Sequence, residues 1–197
     1  MSTVPPLPAV PPMPTLPPAL PAPPVPRAEC AWCASALLTG RRRLRALARR
    51  LSRLVTEPES WLDVGTGDGA FPDAAREFFP YTSFDGVDPG PRVLEARAAE
   101  RVEEAYVGPL AATGLTARYD VVSLLHHLEH SGDPRRELTA ALTALRPGGH
   151  LVLELHARNS PFRPADVHRD LQDRDCTLLT ARPRPWAPAH RVVARKN

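Results

Sequence analysis

The chain has 197 residues with 25 basic and 22 acidic side chains, a formal charge of +3, and 25 prolines. Twelve of those prolines and none of the charges fall in residues 1–26, which excludes a helix or strand there, because proline lacks an amide donor and its ring clashes with the preceding turn. The same stretch has neither the basic start and unbroken apolar run of a secretory signal nor the roughly 20 consecutive apolar residues of a membrane span.

A cytoplasmic chain without a membrane span is therefore expected. It divides into a disordered Pro-rich tail over residues 1–29, a Cys-x-x-Cys segment with a basic helix over 30–56, and a folded domain over 57–197. The tail should sample extended polyproline conformations, and its repeated P-x-x-P spacings suit a protein partner with an aromatic-lined groove. Cys30 and Cys33 make half of a zinc ribbon, but Cys176 is the only other cysteine and a four-ligand site needs a second pair. Residues 41–54 (RRRLRALARRLSRL) hold seven arginines and no acid, so the rest of the chain carries 18 basic and 22 acidic residues. Leu44, Leu47, Ala48, Leu51, Leu54 and Val55 recur there at helical spacing. The leucine face is expected on the core with the arginines in water. A contact of the arginine face with nucleic acid or an acidic membrane stays open, because the two faces are independent.

From residue 60 short apolar runs alternate with helical stretches. Strands are predicted at 61–64, 83–87, 105–107, 119–125 and 150–155, and helices at 71–79, 92–102 and 133–145, the last with Asp133 as N-cap and Pro134 in its first turn. Such alternation implies an α/β fold, a doubly wound and mostly parallel sheet with helices on both faces. Two further strands at 177–181 and 191–194 could close it as an antiparallel hairpin.

The chemistry concentrates at two strand ends. Leu62-Asp63-Val64-Gly65-Thr66-Gly67-Asp68-Gly69 leaves the first strand, and glycines there let the backbone turn sharply and approach a ligand closely. The second strand ends in Asp88-Pro89, where a carboxylate can accept both hydroxyls of a ribose. Read as G-x-G-x-x-A, ending at Ala70, the loop fits a relaxed dinucleotide fingerprint. Read as D-x-G-x-G-x-G, it resembles motif I of the class I S-adenosylmethionine-dependent methyltransferases. The rest of that resemblance follows in order, with Asp88 after the second strand, Tyr119-Asp120-Val121-Val122 in the fourth, Leu128-Glu129-His130 with Asp133-Pro134 beyond it, and Leu145-Arg146-Pro147-Gly148-Gly149 as the turn into the fifth. The resemblance implies a seven-stranded Rossmann-like sheet and S-adenosylmethionine as cofactor. It places Asp63, Gly65, Thr66, Gly67, Gly69, Asp88, Pro89 and Leu125 around that cofactor. The chain departs from the pattern after the third strand, where Val107-Gly108-Pro109-Leu110 offers no acid for the adenine amino group.

His126-His127-Leu128-Glu129-His130 follows the fourth strand. Its spacing satisfies the H-x-x-E-H of inverted zinc proteases, but that motif needs a helix and a third ligand. Some methyltransferases use an E-x-x-E-H version to hold magnesium; here His126 stands in place of the first glutamate, and nitrogen suits magnesium poorly. Although His126, Glu129, His130 and His156 would suit a zinc-like ion, no metal is expected. His126 or His127, with His130 nearby, is expected to face the acceptor as a general base, since an imidazole near its usual pKa suits neutral pH. Asn159-Ser160-Pro161-Phe162 is similar to an N-P-P-Y signature but follows the wrong strand and reads as a turn. Methyl transfer to an oxygen or nitrogen of a small molecule, rather than nucleic acid, is the expected activity. The alternative is an inactive methyltransferase-fold module that recruits partners through the tail and the arginine helix.

Overall fold

A computed structural model describes residues 31–156, 164–180 and 189–197, with side chains from residue 40 onward. The Pro-rich tail, Cys30 of the cysteine pair and residues 159–162 lie outside the described residues. Five strands run parallel, β1 (Ser60–Val64), β2 (Ser83–Asp88), β3 (Ala105–Val107), β4 (Tyr119–Leu125) and β5 (Leu145–His156). β7 (Ala189–Lys196) is antiparallel to both β5 and β6 (Cys176–Thr180), giving a seven-stranded sheet of order β3-β2-β1-β4-β5-β7-β6. The order reverses between β1 and β4, so a crevice opens beyond the carboxyl ends of those two strands.

Successive strand residues point to opposite faces, and helices bury both. On one face Trp61 of β1 packs on Phe71, Phe79 and Phe84 with ring centroids 5.1–5.6 Å apart. Leu47, Ala48, Leu51 and Val55 join that cluster from α1 (Ala31–Leu51) and the turn after it. Each buried leucine contributes about 1.5–3 kcal/mol by leaving water, so the leucine stripe fixes α1 to the sheet. On the other face Leu62, Val122, Leu151 and Leu153 pack against α4 (Pro134–Ala144) and α5 (Pro164–Asp173) through Leu138, Leu142, Val167 and Leu171. The remaining helices, α2 (Ala70–Ala75) and α3 (Arg92–Ala98), each leave the end of a parallel strand.

Most predicted elements are in place, and Asp133 caps α4 by accepting from the Arg136 amide at 3.1 Å. Several boundaries differ, among them that of α3, which ends at Ala98 rather than at residue 102. α1 is described from Ala31, ten residues before Arg41, with no proline in between and with Gly40 accommodated inside the helix. α2 ends at Ala75, where the Phe78 and Phe79 amides both turn back to the Ala75 carbonyl and drop Phe79 into the aromatic cluster. β5 begins at Leu145 because its first residues bulge: Tyr119 pairs with Leu145 but Val121 with His150, so two steps on β4 span five on β5. Among the described residues no helix is long and apolar enough to cross a membrane.

Candidate functional site

The glycine loop leaves β1 with Gly65, Gly67 and Gly69 at φ of 75, 58 and 77°, the left-handed region that side chains disfavour. Two of these positions show why. A Cβ on Gly65 would stand 2.6 Å from Nδ1 of His127, so the loop and the histidine segment touch through a missing side chain. A Cβ on Gly67 would meet nothing within 4 Å, which leaves the apex open to a ligand.

Asp88, fully buried at the end of β2, holds the apex. Its Oδ2 accepts from the Gly67 amide at 2.9 Å and its Oδ1 from the Gly90 amide at 2.8 Å. Pro89 beside it is exposed and Leu125 at the end of β4 is half-buried. Asp63 lies in register with Ser123 of β4, and a polar relay runs from Trp61 Nε1 to Ser123 Oγ at 2.9 Å and from Ser123 to Asp63 Oδ1 at 2.6 Å. Burial pushes the Asp63 carboxyl up to about 6 against the opposing Ser123 hydrogen bond. Next to it the buried Thr66 Oγ1 eases the Asp63 charge but makes no hydrogen bond of normal geometry among the described residues. A left-handed glycine cradle, a buried acid at each side and an orphaned hydroxyl fit a ligand that carries a ribose and a positive charge. Beyond β3, Gly108 donates its amide to the Asp88 carbonyl at 2.9 Å and Leu110 is buried, so that edge presents backbone and apolar groups.

The histidine segment splits into two environments. His127 is buried, with Nε2 3.3 Å from Glu137 of α4, and Glu137 also accepts from the Leu110 and Ala111 amides. That arrangement ties three elements together beneath the glycine loop. His130 lies in a single 3-10 turn, Leu128–His130, its amide bonded to the His127 carbonyl. His126 takes φ 55°, a conformation that costs a non-glycine residue about 1–3 kcal/mol, and its side chain keeps 21% of its surface exposed.

Around His126 stands a cluster that the sequence motifs do not contain. Nε2 lies 2.9 Å from Oε1 of Glu154 in β5, and Nδ1 3.5 Å from Oε1 of Glu129. Glu154 is buried and also paired with Arg43 of α1 and Arg191 of β7. Burial favours the neutral acid, but the His126 hydrogen bond and the two guanidinium charges win and hold Glu154 down at about 2. For His126 burial lowers the pKa, and the bonds to Glu129 and Glu154 outweigh it and raise it, with Arg43 also 2.9 Å from Nε2. His156 stacks on His126 with centroids 4.2 Å apart and is shifted down by burial and by that neighbouring charge. Its amide donates to Glu129 Oε1 at 2.6 Å, while Glu129 Oε2 is buried with no hydrogen-bond partner among the described residues. One donor atom each from His126, Glu129 and His156 lies within 4.8 Å of the others, close enough to share a cation.

Sequence reasoning thus located the loop, Asp63, Asp88 and the histidines but missed Arg43, Glu154 and Arg191. One signal for Glu154 was present: it is a lone acid in the apolar run His150-Leu151-Val152-Leu153-Glu154-Leu155, and a buried charge requires partners. Nothing local identified those partners, which lie 111 and 37 residues away.

Comparison with known proteins agrees with this geometry. Residues 39–191 match the model of a family described as a methyltransferase domain. The ubiquinone biosynthesis O-methyltransferase of Serratia proteamaculans is 35% identical over 105 residues, covering 50% of this chain and 43% of that protein. That of Cronobacter sakazakii is 36% identical over 105 residues with the same coverage, so the matched region spans less than half the length of these curated relatives. Among solved structures, an amino pentose methyltransferase from Micromonospora echinaspora with bound S-adenosylmethionine superposes with a TM-score of 0.65 at 17% identity, covering 84% of this chain and 97% of that one. The [4+2]-cyclase SpnF superposes with a TM-score of 0.62 at 14% identity over 77% of this chain and 80% of its own, so the fold by itself does not fix a chemistry.

Proposed function

The chain belongs to the methyltransferase-domain family, and on that premise we propose that it transfers the methyl group of S-adenosylmethionine to an oxygen or nitrogen of a small-molecule acceptor by in-line displacement. The observation that carries this reading is the left-handed glycine apex held by Asp88 through the Gly67 amide, open above and flanked by buried Asp63. Asp88 and the loop amides would hold the ribose and Asp63 the methionine end, with Thr66, Pro89 and Leu125 completing the walls. When bound, S-adenosylmethionine supplies a methyl group already activated by its positive sulfur. The chain therefore needs no covalent nucleophile; its residues orient the acceptor and exclude water.

We assign the handling of the acceptor's proton to the neutral form of His126 acting through Nδ1, whose contact with Glu129 is long at 3.5 Å, while Nε2 stays held at Glu154. What supports this is that His126 keeps part of its ring exposed at the crevice, whereas His127 is buried against Gly65 and Glu137. Glu154 and Glu129 orient the His126 ring, His156 stacks on it, and His130 belongs to the turn that carries Glu129. Small-molecule acceptors are favoured because the curated relatives act in ubiquinone biosynthesis and a structural neighbour is an amino pentose methyltransferase. The test is incubation with methyl-labelled S-adenosylmethionine and a panel of phenols and amino sugars. Label should move to an acceptor in the intact chain and drop at least about 100-fold in His126→Ala, the scale of a positioned general base. Transfer undiminished in His126→Ala would overturn the assignment, and no transfer to any acceptor would count against the activity.

A further inference from the structure

One large surface feature has no part in the methyl-transfer reading. α1 turns its second face away from the sheet, and between it and the segment after α2 lies a groove of about 690 Å³ lined by five arginines (42, 45, 49, 50 and 53), Ala46, Glu77 and Phe78. All five arginines are exposed. Arg45 is paired with Glu77, and Arg41 just above the groove with Asp73. No ion pair among the described residues involves Arg42, Arg49, Arg50 or Arg53, so four positive charges remain uncompensated in a chain whose other segments sum to a negative charge. Arg42, Arg45 and Arg49 stand in one row on α1, three or four residues apart and spanning roughly 10 Å at 1.5 Å per residue, and Arg53 follows in the turn after the helix. Guanidinium groups are suited to phosphate, which they bind through paired donors.

A second observation narrows the partner. Tyr81, three residues beyond Phe78 in the segment that leads to β2, is 94% exposed. Phe78 contributes an aromatic edge to the groove itself. A basic row that tracks a backbone, with one aromatic ring in its wall and a second, exposed one three residues along the chain, is a combination that suits single-stranded nucleic acid.

We propose that the α1–α2 groove docks the backbone of a single-stranded nucleic acid of roughly five nucleotides, with a base stacked on Tyr81. This surface is separate from the cofactor crevice, so the two readings stand or fall independently.

The experiment uses the full chain and a fluorescent twelve-residue oligouridylate, followed by anisotropy at several salt concentrations. Four phosphate contacts predict a slope of about −3 in log affinity against log salt. R42E/R49E/R53E should weaken binding at least ten-fold and flatten that slope by about 2. Tyr81→Ala should weaken it roughly five-fold or more with the slope unchanged. Circular dichroism checks that each variant folds, and R42Q/R49Q/R53Q replaces the charge reversal if it does not. Absence of binding at 50 mM salt, or binding indifferent to the arginine changes, overturns the proposal. So does equal or tighter binding of phosphatidylserine vesicles or polyglutamate in the same assay.

Discussion

On the β1–β2 side of the crevice the backbone does the holding: glycines in left-handed conformations and the Gly67 and Gly90 amides are tied to Asp88, all within 25 residues of one another. On the β4–β5 side it is side chains that do so, and they come from four elements, Arg43 on α1, His126 after β4, Glu154 on β5 and Arg191 on β7. The first arrangement tolerates few substitutions locally but needs little from the rest of the chain. The second depends on the whole fold, because the buried carboxylate of Glu154 is stable only while its distant partners stand beside it. The two sides meet at one point, where His127 lies against Gly65.

Breaking the side-chain half should have the largest effect on stability. Glu154→Leu removes a carboxylate that three cationic groups share, which is expected to cost about 3 kcal/mol in denaturant unfolding while changing cofactor affinity less than about three-fold. Equal losses of both would mean the halves are not separable. In the parent chain Glu154 is depressed to about 2 from an ordinary 4.5. Its contribution is therefore complete above pH 4.5 and is lost as pH falls from there toward 2.

Gly65→Ala strikes the contact between the halves. It forces an alanine to φ 75° and a Cβ to 2.6 Å from His127, so a loss of about 2 kcal/mol is expected together with weaker cofactor binding. A silent substitution there would show that His127 moves aside freely.

Asp63→Asn separates function from stability. The folded state holds the Asp63 proton more tightly than the unfolded chain does, with a value near 6 against the ordinary 3.8. Ionisation therefore subtracts stability as pH rises through that window, and the loss stays in full above it. Asparagine should restore about 1–2 kcal/mol at neutral pH and weaken S-adenosylmethionine binding, which in the parent chain should decline as pH falls through about 6. Calorimetry across pH 5–8 checks both signs.

The smallest expected effect is a displaced pH profile. Because Glu129 and Glu154 raise His126, methyl transfer should climb with pH through a midpoint above 6.5, and Glu129→Gln should bring that midpoint down. A rising limb unmoved by Glu129→Gln would assign the titration to another group.

The same contrast governs what the sequence revealed. Strand, loop and helix around Asp63, Gly65, Gly67 and Asp88 were legible because turn chemistry and strand period act over a few residues. The α1 leucine stripe likewise gave its packing face, since helical spacing is local. Arg43 sits in the same segment and read as one solvated arginine among seven, yet it crosses to Glu154 and His126. Only the packing of α1 over the ends of β4 and β5 distinguishes it. His126 and His127, adjacent and equivalent on paper, diverge because the chain turns between them, leaving one at the crevice and the other beneath the loop.

The glycine apex and Asp88 form the proposed seat of the cofactor. Isothermal titration of the intact chain with S-adenosylmethionine, alongside a folded Asp88→Ala variant, tests it most directly. The prediction is saturable one-site binding that weakens at least about 100-fold in the variant, as expected when charge-assisted hydrogen bonds to a buried carboxylate are lost. Undiminished binding by Asp88→Ala, or no binding by the intact chain, would contradict it.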